Sequence, residues 1–414
     1  MMNEKSKSVL VVGFNTRPLV YSLKKAGYKI YAIDFFGDLD LIPQVEDCII
    51  VMKELNTNYN SFKNQYSKYL IKFTINMLQK YQEIDLFLIG SGLDDAYEER
   101  EILLNETKKF NILSVNNDIE SIIKARNIDN IFELLRSLNF KALISYSFTD
   151  FQSNISELEF PLILKKKRSA GGINVIKVED DQSLKSKIKD LGKSDFNPKE
   201  WLIQEYIEGI PVSCTVISNG KECAVISINR QIIGEEFLNS PKNFMYCGNI
   251  VPSGLLESEE RKIAEISIAL TKELGLKGIN GFDFVIKDKV PFFMECNPRI
   301  PGSIRASESA LELNLLDLHI KSFTIKEWKQ ISKIIKSSTF KSFSTKLVVF
   351  APKTIEKSLI NKINHLTFVH DKTEPTRDVL KGEPLCTILY KAGSLLESYN
   401  GAKRVVIEIN KIIE

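Results

Sequence analysis

Histidine is scarce and cysteine is scattered in this chain of 414 residues. The histidines are His319, His365 and His370, and the cysteines are Cys48, Cys214, Cys223, Cys247, Cys296 and Cys386. No Cys-x-x-Cys pair occurs, so the spacing that marks a zinc site is missing. No Ser-His-Asp or Cys-His arrangement stands out either, which argues against nucleophilic catalysis by a triad. Unpaired cysteines of this kind fit a reducing, cytoplasmic setting. Long hydrophobic runs are absent, and a stretch such as Val9-Leu10-Val11-Val12 is far too short to cross a bilayer. The N-terminus shows no extended apolar region of the signal-peptide kind. The formal net charge is only +3 and no long basic run is present, so neither nucleic acid nor an anionic membrane is an expected partner. Length alone calls for two or three domains.

What is present begins with an apolar strand at residues 8–12, followed by Gly13, a helical pattern closed by Ala26-Gly27, and a second strand ending at Asp34. This is a βαβ unit. The Gly-x-Gly-x-x-Gly fingerprint of dinucleotide binding is missing, since only Gly13 is in place, so a nicotinamide cofactor is not expected. Another strand at 85–89 runs into Gly90-Ser91-Gly92-Leu93-Asp94-Asp95. Loops at strand carboxyl ends are where open α/β sheets take ligands. From about Asn116 the character changes to a helix over 119–139, then strands at 161–165, 174–178, 201–206, 212–218 and 224–230. A helix over 259–274 stops at Gly275, and residues 307–323 read as helical. The tail beyond about Ser338 reads as β-rich, punctuated by Pro352, Pro375, Gly382 and Pro384.

The most informative stretch is Met294-Glu295-Cys296-Asn297-Pro298-Arg299. Alternation along a strand turns Glu295, Asn297 and Arg299 to one face and Cys296 to the other, where it reads as core. A carboxylate and an amide oxygen suit Mg²⁺, and a guanidinium suits a phosphate or carboxylate. Asp283 lies on the preceding strand, and the turn Lys287-Asp288-Lys289 makes the two strands a hairpin that can set both acids side by side. Upstream, Lys165 ends a strand before the basic loop Lys166-Lys167-Arg168-Ser169-Ala170-Gly171-Gly172. Small residues there let backbone N–H groups approach phosphate oxygens, with Lys165 adding a charge-assisted bond. The Walker pattern is absent. Between them, Gln204-Glu205-Tyr206-Ile207-Glu208 leads a strand into Gly209 and can present backbone groups to an adenine edge.

Taken in order, these segments resemble the ATP-grasp superfamily over roughly residues 116–330. The resemblance implies mixed α/β and α+β architecture. It comprises an N-terminal Rossmann-like (pre-ATP-grasp) domain over 1–115 and an ATP-grasp domain over 116–335 with a lid at about 140–207. A small C-terminal β-rich module over 336–414 completes it. It implies that Asp283, Glu295 and Asn297 hold Mg²⁺ (Mn²⁺ being an alternative) against ATP. Arg299 and Lys165 would be catalytic, Arg299 on the transferring phosphoryl group and Lys165 on the phosphates. Ser169, Ala170, Gly171 and Gly172 would close over the phosphates. Gln204, Glu205, Tyr206 and Ile207 would line the adenine slot, and Glu208 would reach the ribose. Three departures stand out. Asn127-Ile128 replaces a family Asp-Lys, with Lys124 or Arg126 as the substitute cation. Pro211 falls where some members have a ribose-binding acid. No acid follows Arg299 in Ile300-Pro301-Gly302-Ser303, where biotin carboxylases carry a bicarbonate base.

A narrower resemblance rests on Gly13-Phe14-Asn15-Thr16-Arg17, Ala26-Gly27-Tyr28, Asp34-Phe35-Phe36-Gly37-Asp38-Leu39-Asp40 and Gly382-Glu383-Pro384-Leu385-Cys386-Thr387. These look like a little-characterised branch of predicted ATP-dependent carboxylate ligases of methanogens and methylotrophs, associated with one-carbon cofactor (pterin or furan) pathways. The implied activity is carboxylate–amine ligation through an acyl phosphate, with small-molecule substrates. A carboxylase, a phosphotransferase or a non-catalytic nucleotide-binding regulator are the alternatives. Arg230 and Arg305 are candidates to clamp a substrate carboxylate or are surface ion-pair partners. Arg17, at a helix start, and Gly90 and Ser91 are candidates to meet the acceptor from the N-terminal side. A homodimer is compatible with this reading.

Overall fold

The structure, a computed structural model, describes residues 7–56, 65–149, 159–168, 171–192 and 196–414. Ser169 and Ala170, expected to close over the phosphates, lie outside the described residues. Three sheets organise the chain.

The first is parallel and contains β1 (Ser8–Gly13), β2 (Lys29–Asp34), β3 (Asp47–Ile50), β4 (Leu86–Ile89) and β5 (Leu113–Ser114) in the order β3-β2-β1-β4-β5. All of β1 and β4 is buried, as a parallel sheet covered on both faces requires. One face, with Val9, Val11, Ala32 and Leu88, shares a core with Ile217, Ile279, Ile304 and Leu315 from later in the chain. The other, with Leu10, Val12, Ile33 and Phe87, packs on the helices that follow β3 and β4. Strand order reverses between β1 and β4, so the loops after them flank a crevice at the carboxyl ends.

The second sheet is antiparallel: β6 (Ser145–Ser147), β7 (Leu162–Lys166), β8 (Val175–Val178) and β9 (Trp201–Glu205), in the order β6-β9-β7-β8. Its outer face (Leu162, Leu164, Val178, Trp201, Ile203) has a small core of its own. Leu202, on the opposite face, belongs instead to the central core with Val212, Phe282 and Phe293.

The third sheet has eight strands. They are β10 (Ile210–Asn219), β11 (Cys223–Ile233), β12 (Tyr246–Val251), β13 (Lys277–Lys287), β14 (Val290–Asn297), β15 (Phe343–Phe350), β16 (Val369–His370) and β17 (Pro384–Ala392). The order is β14-β13-β10-β11-β12-β15-β17-β16, so the C-terminal strands extend the sheet that carries the acidic strand pair. The tail is less purely β than its punctuation suggests, because helices Lys357–Asn364 and Leu395–Ile413 pack on it. Gly401 masks the second of these in the sequence. A Cβ there would lie 2.2 Å from the Tyr390 ring, so packing forces a poor helix former into the middle of the helix. Likewise β12 contains Gly248 at φ +143°, where a Cβ would meet the Lys346 carbonyl oxygen of β15 at 2.0 Å.

Two expected long helices are each broken by an asparagine cap. Residues 119–139 form Ile119–Arg126 and Ile128–Ser137, with the Asn127 side chain accepting from the Asn130 N–H at 3.2 Å. Residues 307–323 form Ile304–Leu311 and Leu315–Ser322, with Asn314 accepting from the Asp317 N–H at 2.8 Å. Asparagine outside the helix satisfies a free N–H of the next first turn better than it continues the previous helix.

Candidate nucleotide and metal site

The β13–β14 hairpin turns at Asp288 and Lys289, both at positive φ (50° and 63°), the handedness of a tight two-residue loop. This register sets Asp283 opposite Glu295 and Gly281 opposite Asn297. A bulge between Asp283 and Phe284 follows. Asp283, Glu295 and Asn297 thus share one face, while Phe282, Phe284 and Cys296 enter the central core. The Asn297 amide donates to Asp283 at 2.9 Å and to Glu295 at 3.4 Å, and Gln231 of β11 donates to Asp283 at 3.0 Å.

Strand alternation in the second sheet aims a cation at this pair. Lys165 pairs with Leu202, and Ile163 with Gln204, on the face turned toward the central core. The Lys165 ammonium lies 3.7 Å from Glu295 and 3.5 Å from the Met294 carbonyl oxygen. Gln204 is buried on the same face, and its side-chain oxygen has no hydrogen-bond partner.

Electrostatics separate the two acids. Burial, the adjacent Glu295 charge and its hydrogen bond raise the Asp283 carboxyl to about 8. Burial also penalises Glu295, but Lys165 and Arg126 outweigh it and hold this carboxyl below its ordinary value. One proton shared between two neighbouring acids is what a divalent cation displaces. The donor set of two carboxylates and an amide therefore fits Mg²⁺, with phosphate oxygens left to complete the shell. Among the described residues there is no group of three or more His, Cys, Asp or Glu side chains suited to a metal.

Arg299, just past β14, donates through Nε to Asp94 and at 3.1 Å to the Ile300 carbonyl oxygen. Asp94 and Asp95 end the Gly90–Asp95 loop of the first sheet. Asp95 makes a two-pronged pair with Arg126 at 3.0 Å on both arms. Arg126 also reaches the Cys296 carbonyl oxygen at 3.4 Å. Of the two cations suggested to replace the absent family lysine, Arg126 is therefore at the site. Lys124 is exposed and paired with Glu120 at 2.7 Å. Asp94 was visible as a loop acid, but nothing in a linear reading tells which cation such an acid meets.

The glycine loop docks on the segment before β12. The Tyr246 N–H donates to the Gly171 carbonyl oxygen at 3.3 Å, and Lys242 to the Ile173 carbonyl oxygen at 2.8 Å. Gly172 has φ +76°, and a Cβ there would stand 1.7 Å from the Phe244 carbonyl oxygen. Lys166 pairs with Glu200 at 3.0 Å, Lys167 with Asp129 at 3.3 Å, and Arg168 lies over the Tyr97 ring at 4.6 Å. At the end of β9, Glu205 accepts from the Ile144 N–H at 2.8 Å, and Tyr206, just past it, lies under the Lys177 ammonium at 4.4 Å. Ile207 packs on the central core and Glu208 is exposed.

The remaining candidates are dispersed. Arg17 is 4% exposed and pairs with Asp371 at 2.6 Å and Asp40 at 3.4 Å, bridging the first sheet to the C-terminal strands. Arg305 pairs with Glu308 at 2.7 Å and stacks on the Tyr21 ring. Arg230 sits between Asn229 and Gln231 on β11, and alternation turns it away from the face of Gln231 and Asp283. Gly90 donates its N–H to the Val12 carbonyl oxygen and packs on Leu19. Ser91 lines a cavity between the first sheet and the C-terminal strands.

Residues 144–303 match the family model described as an ATP-grasp domain. An uncharacterized protein of Methanocaldococcus jannaschii is 27% identical over 392 residues, spanning 92% of this chain and 88% of that one. The carbamoyl phosphate synthase large chain of Caldanaerobacter subterraneus subsp. tengcongensis is 24% identical over 348 residues, 82% of this chain but only 30% of its own length. Among solved structures, an L-amino acid ligase from Bacillus licheniformis superposes with a TM-score of 0.67 at 14% identity, covering 99% of this chain and 98% of that chain. The fold is the ATP-grasp fold.

Proposed function

We propose, from the ATP-grasp domain matched over residues 144–303 and the ATP-grasp fold, that this chain is an ATP-dependent carboxylate–amine ligase working through an acyl phosphate. The observation that carries the reading is the Asp283–Glu295–Asn297 face with Lys165 from the second sheet and Arg299 beside it. Bound there, Mg²⁺ supplies neutralisation of phosphate charge. The protein's own work is positioning and electrostatics, which is most of what phosphoryl transfer asks of an enzyme. Lys165 and Arg126 keep Glu295 ionised as a ligand. The Asn297 amide can rotate to offer its oxygen, and Gln231 fixes Asp283 from β11, across the intervening β10. Arg299 holds the transferring group, its guanidinium oriented by Asp94. Gly171 and Gly172 cover the phosphates, and Gln204 to Ile207 take the adenine, with Glu208 toward the ribose. The three-part division at about 115 and 335 belongs to the same reading.

The similarity to an L-amino acid ligase and a carbamoyl phosphate synthase chain supports C–N bond formation over simple phosphotransfer. The test is ADP release with panels of carboxylates and amines. Glu295→Ala and Asn297→Ala should each abolish turnover with circular dichroism unchanged. A fully active Glu295→Ala enzyme removes the metal assignment and the ligase reading with it.

A further inference from the structure

A cavity of about 250 Å³ lies where the loops after β1, β2 and β4 meet the C-terminal strands. Its walls include Asn15, Asp38 and Ser91 from the first sheet, and Lys346, Asp371 and Thr387 from β15, the turn after β16, and β17. This is the switch-point crevice of the parallel sheet, roofed by the C-terminal strands. At this size it holds a small molecule and no polymer. It adjoins the phosphate end, since the Lys346 ammonium donates at 3.1 Å to the carbonyl oxygen of Gly302, three residues past Arg299.

The charges around it are unevenly satisfied. Asp371 takes Arg17 at 2.6 Å and the Thr387 hydroxyl at 2.5 Å. Asp40 takes Arg17 at 3.4 Å and the Lys372 N–H at 2.9 Å. Asp38 is different. It is 7% exposed, it lines the cavity, and its Oδ2 has no hydrogen-bond partner. The Asn15 side-chain oxygen, also on the wall, lacks one too. Burial, with Asp371, Asp34 and Asp40 close by, holds the Asp38 proton well above the ordinary carboxylate range. Leaving a buried acceptor unpaired is costly, and two on one wall call for a ligand rich in N–H donors.

We propose that this cavity receives the amine substrate in its ammonium form, with Asp38 as its counter-ion. The proposal rests on the ligase reading for the identity of the ligand as substrate. Its test does not, because the probe is methylammonium chloride. Thermal unfolding is followed with methylammonium chloride and with sodium chloride at equal ionic strength, for the wild type and Asp38→Asn. Wild type should unfold at a higher temperature with methylammonium than with sodium, and Asp38→Asn should lose that difference. Without any amine, Asp38→Asn should unfold no lower than wild type, since an acid that keeps its proton there is already uncharged and asparagine has the same shape. A merely structural Asp38 would make the same change destabilising. ATP with Mg²⁺ should stabilise both proteins, and Glu295→Ala should lose that second shift. Absence of a methylammonium effect in the wild type, or an equal effect in Asp38→Asn, overturns the proposal. Loss of the ATP effect alone overturns the ligase reading instead.

Discussion

Asp94 is a side chain whose loss should unsettle the fold and the site together. It is 7% exposed and contacts Arg299; burial raises its carboxyl, but Arg299 first, then Arg126 and Arg100, hold it below the ordinary value. Arg100 is 2% exposed, its Nε has no hydrogen-bond partner, and burial lowers its guanidinium to about 10. Asp94 is the carboxylate that sustains its charge. Asp94→Asn keeps the shape and removes the charge, leaving Arg100 buried without a counter-ion and Arg299 without its tether. Breaking one side of a buried pair costs about 3–5 kcal/mol. At about 2–4 °C per kcal/mol for a unit of this size, the first unfolding midpoint should fall by roughly 6–20 °C. Asp95→Asn is the control. Its partner Arg126 is also buried, but Asp95 is 24% exposed and water can replace part of the lost interaction, so the drop should be smaller. Differential scanning calorimetry reads both. On the ligase reading, Asp94→Asn should also lower kcat more than it raises the KM for ATP, because Arg299 is misplaced and the adenine slot is not. A midpoint for Asp94→Asn equal to that of the wild type refutes the reasoning. It would mean the cluster Arg100, Asp94 and Arg299 carries no net coupling.

Gly172→Ala should be far worse than Gly171→Ala, because only the former drives a Cβ into the Phe244 carbonyl, although both have positive φ. Gly171→Ala should cost about 1–2 kcal/mol of local stability, and Gly172→Ala should additionally raise the KM for ATP. Equal effects in steady-state kinetics and thermal unfolding would show that the loop does not dock on Phe244. His319 is buried, accepting the Ile279 N–H at 2.9 Å and meeting the Val115 carbonyl oxygen at 3.0 Å; burial lowers its imidazole to about 4. The folded chain thus refuses a proton that the unfolded chain takes below about 6.5, so stability is full above that pH and falls by about 3 kcal/mol as pH drops toward 4. An NMR titration of the His319 ring with its midpoint near 6.5 in the folded protein would exclude this. Cys296, 1% exposed and with its thiol pushed up by burial, should stay unmodified by iodoacetamide in the native protein and react after unfolding. Native-state labelling of Cys296, read by peptide mass, would contradict its placement in the core.

The strand pair around Asp283 and Glu295 was legible because period-two alternation and a short turn within Lys287-Asp288-Lys289 are local properties, though Lys287 itself belongs to β13. The parallel layer was legible from buried runs such as Val9 to Val12. Other features were not, because they depend on partners far away in the chain. Gly248 looks like a strand breaker until the Lys346 carbonyl of β15 is seen against it. Gly401 looks like a helix breaker until the Tyr390 ring fills its place. Arg17 reads as an anion-binding residue at a helix start, yet Asp371, 354 positions later, takes its Nε. The same distance hides Asp38, whose significance lies in what Asp371 and Arg17 leave unpaired.

The two sides of the site are held by different kinds of contact, and on the ligase reading this bears on how a nucleotide enters. The side of the Asp38 cavity is clamped. Besides the Arg17–Asp371 pair, the Leu39 N–H donates to the Lys372 carbonyl oxygen at 2.7 Å, and the Asp371 and Lys372 N–H groups donate to Asp40. These contacts are buried or half-buried and tie the first sheet to the C-terminal strands at several points. The outer face of the second sheet, by contrast, keeps its apolar core to itself. Much of its contact with the rest is polar and partly exposed: Lys167 to Asp129, Arg168 to Tyr97, and Gly171 to Tyr246. Partly exposed contacts of that kind add little stability each, so opening there costs less than opening the Asp38 cavity. Movement that admits nucleotide is therefore expected at the second sheet, with the cavity beside Asp38 formed beforehand. Hydrogen exchange that is faster in β7 and β8 than in β1 and β15, and slowed in the former by ATP, is the pattern this asymmetry requires.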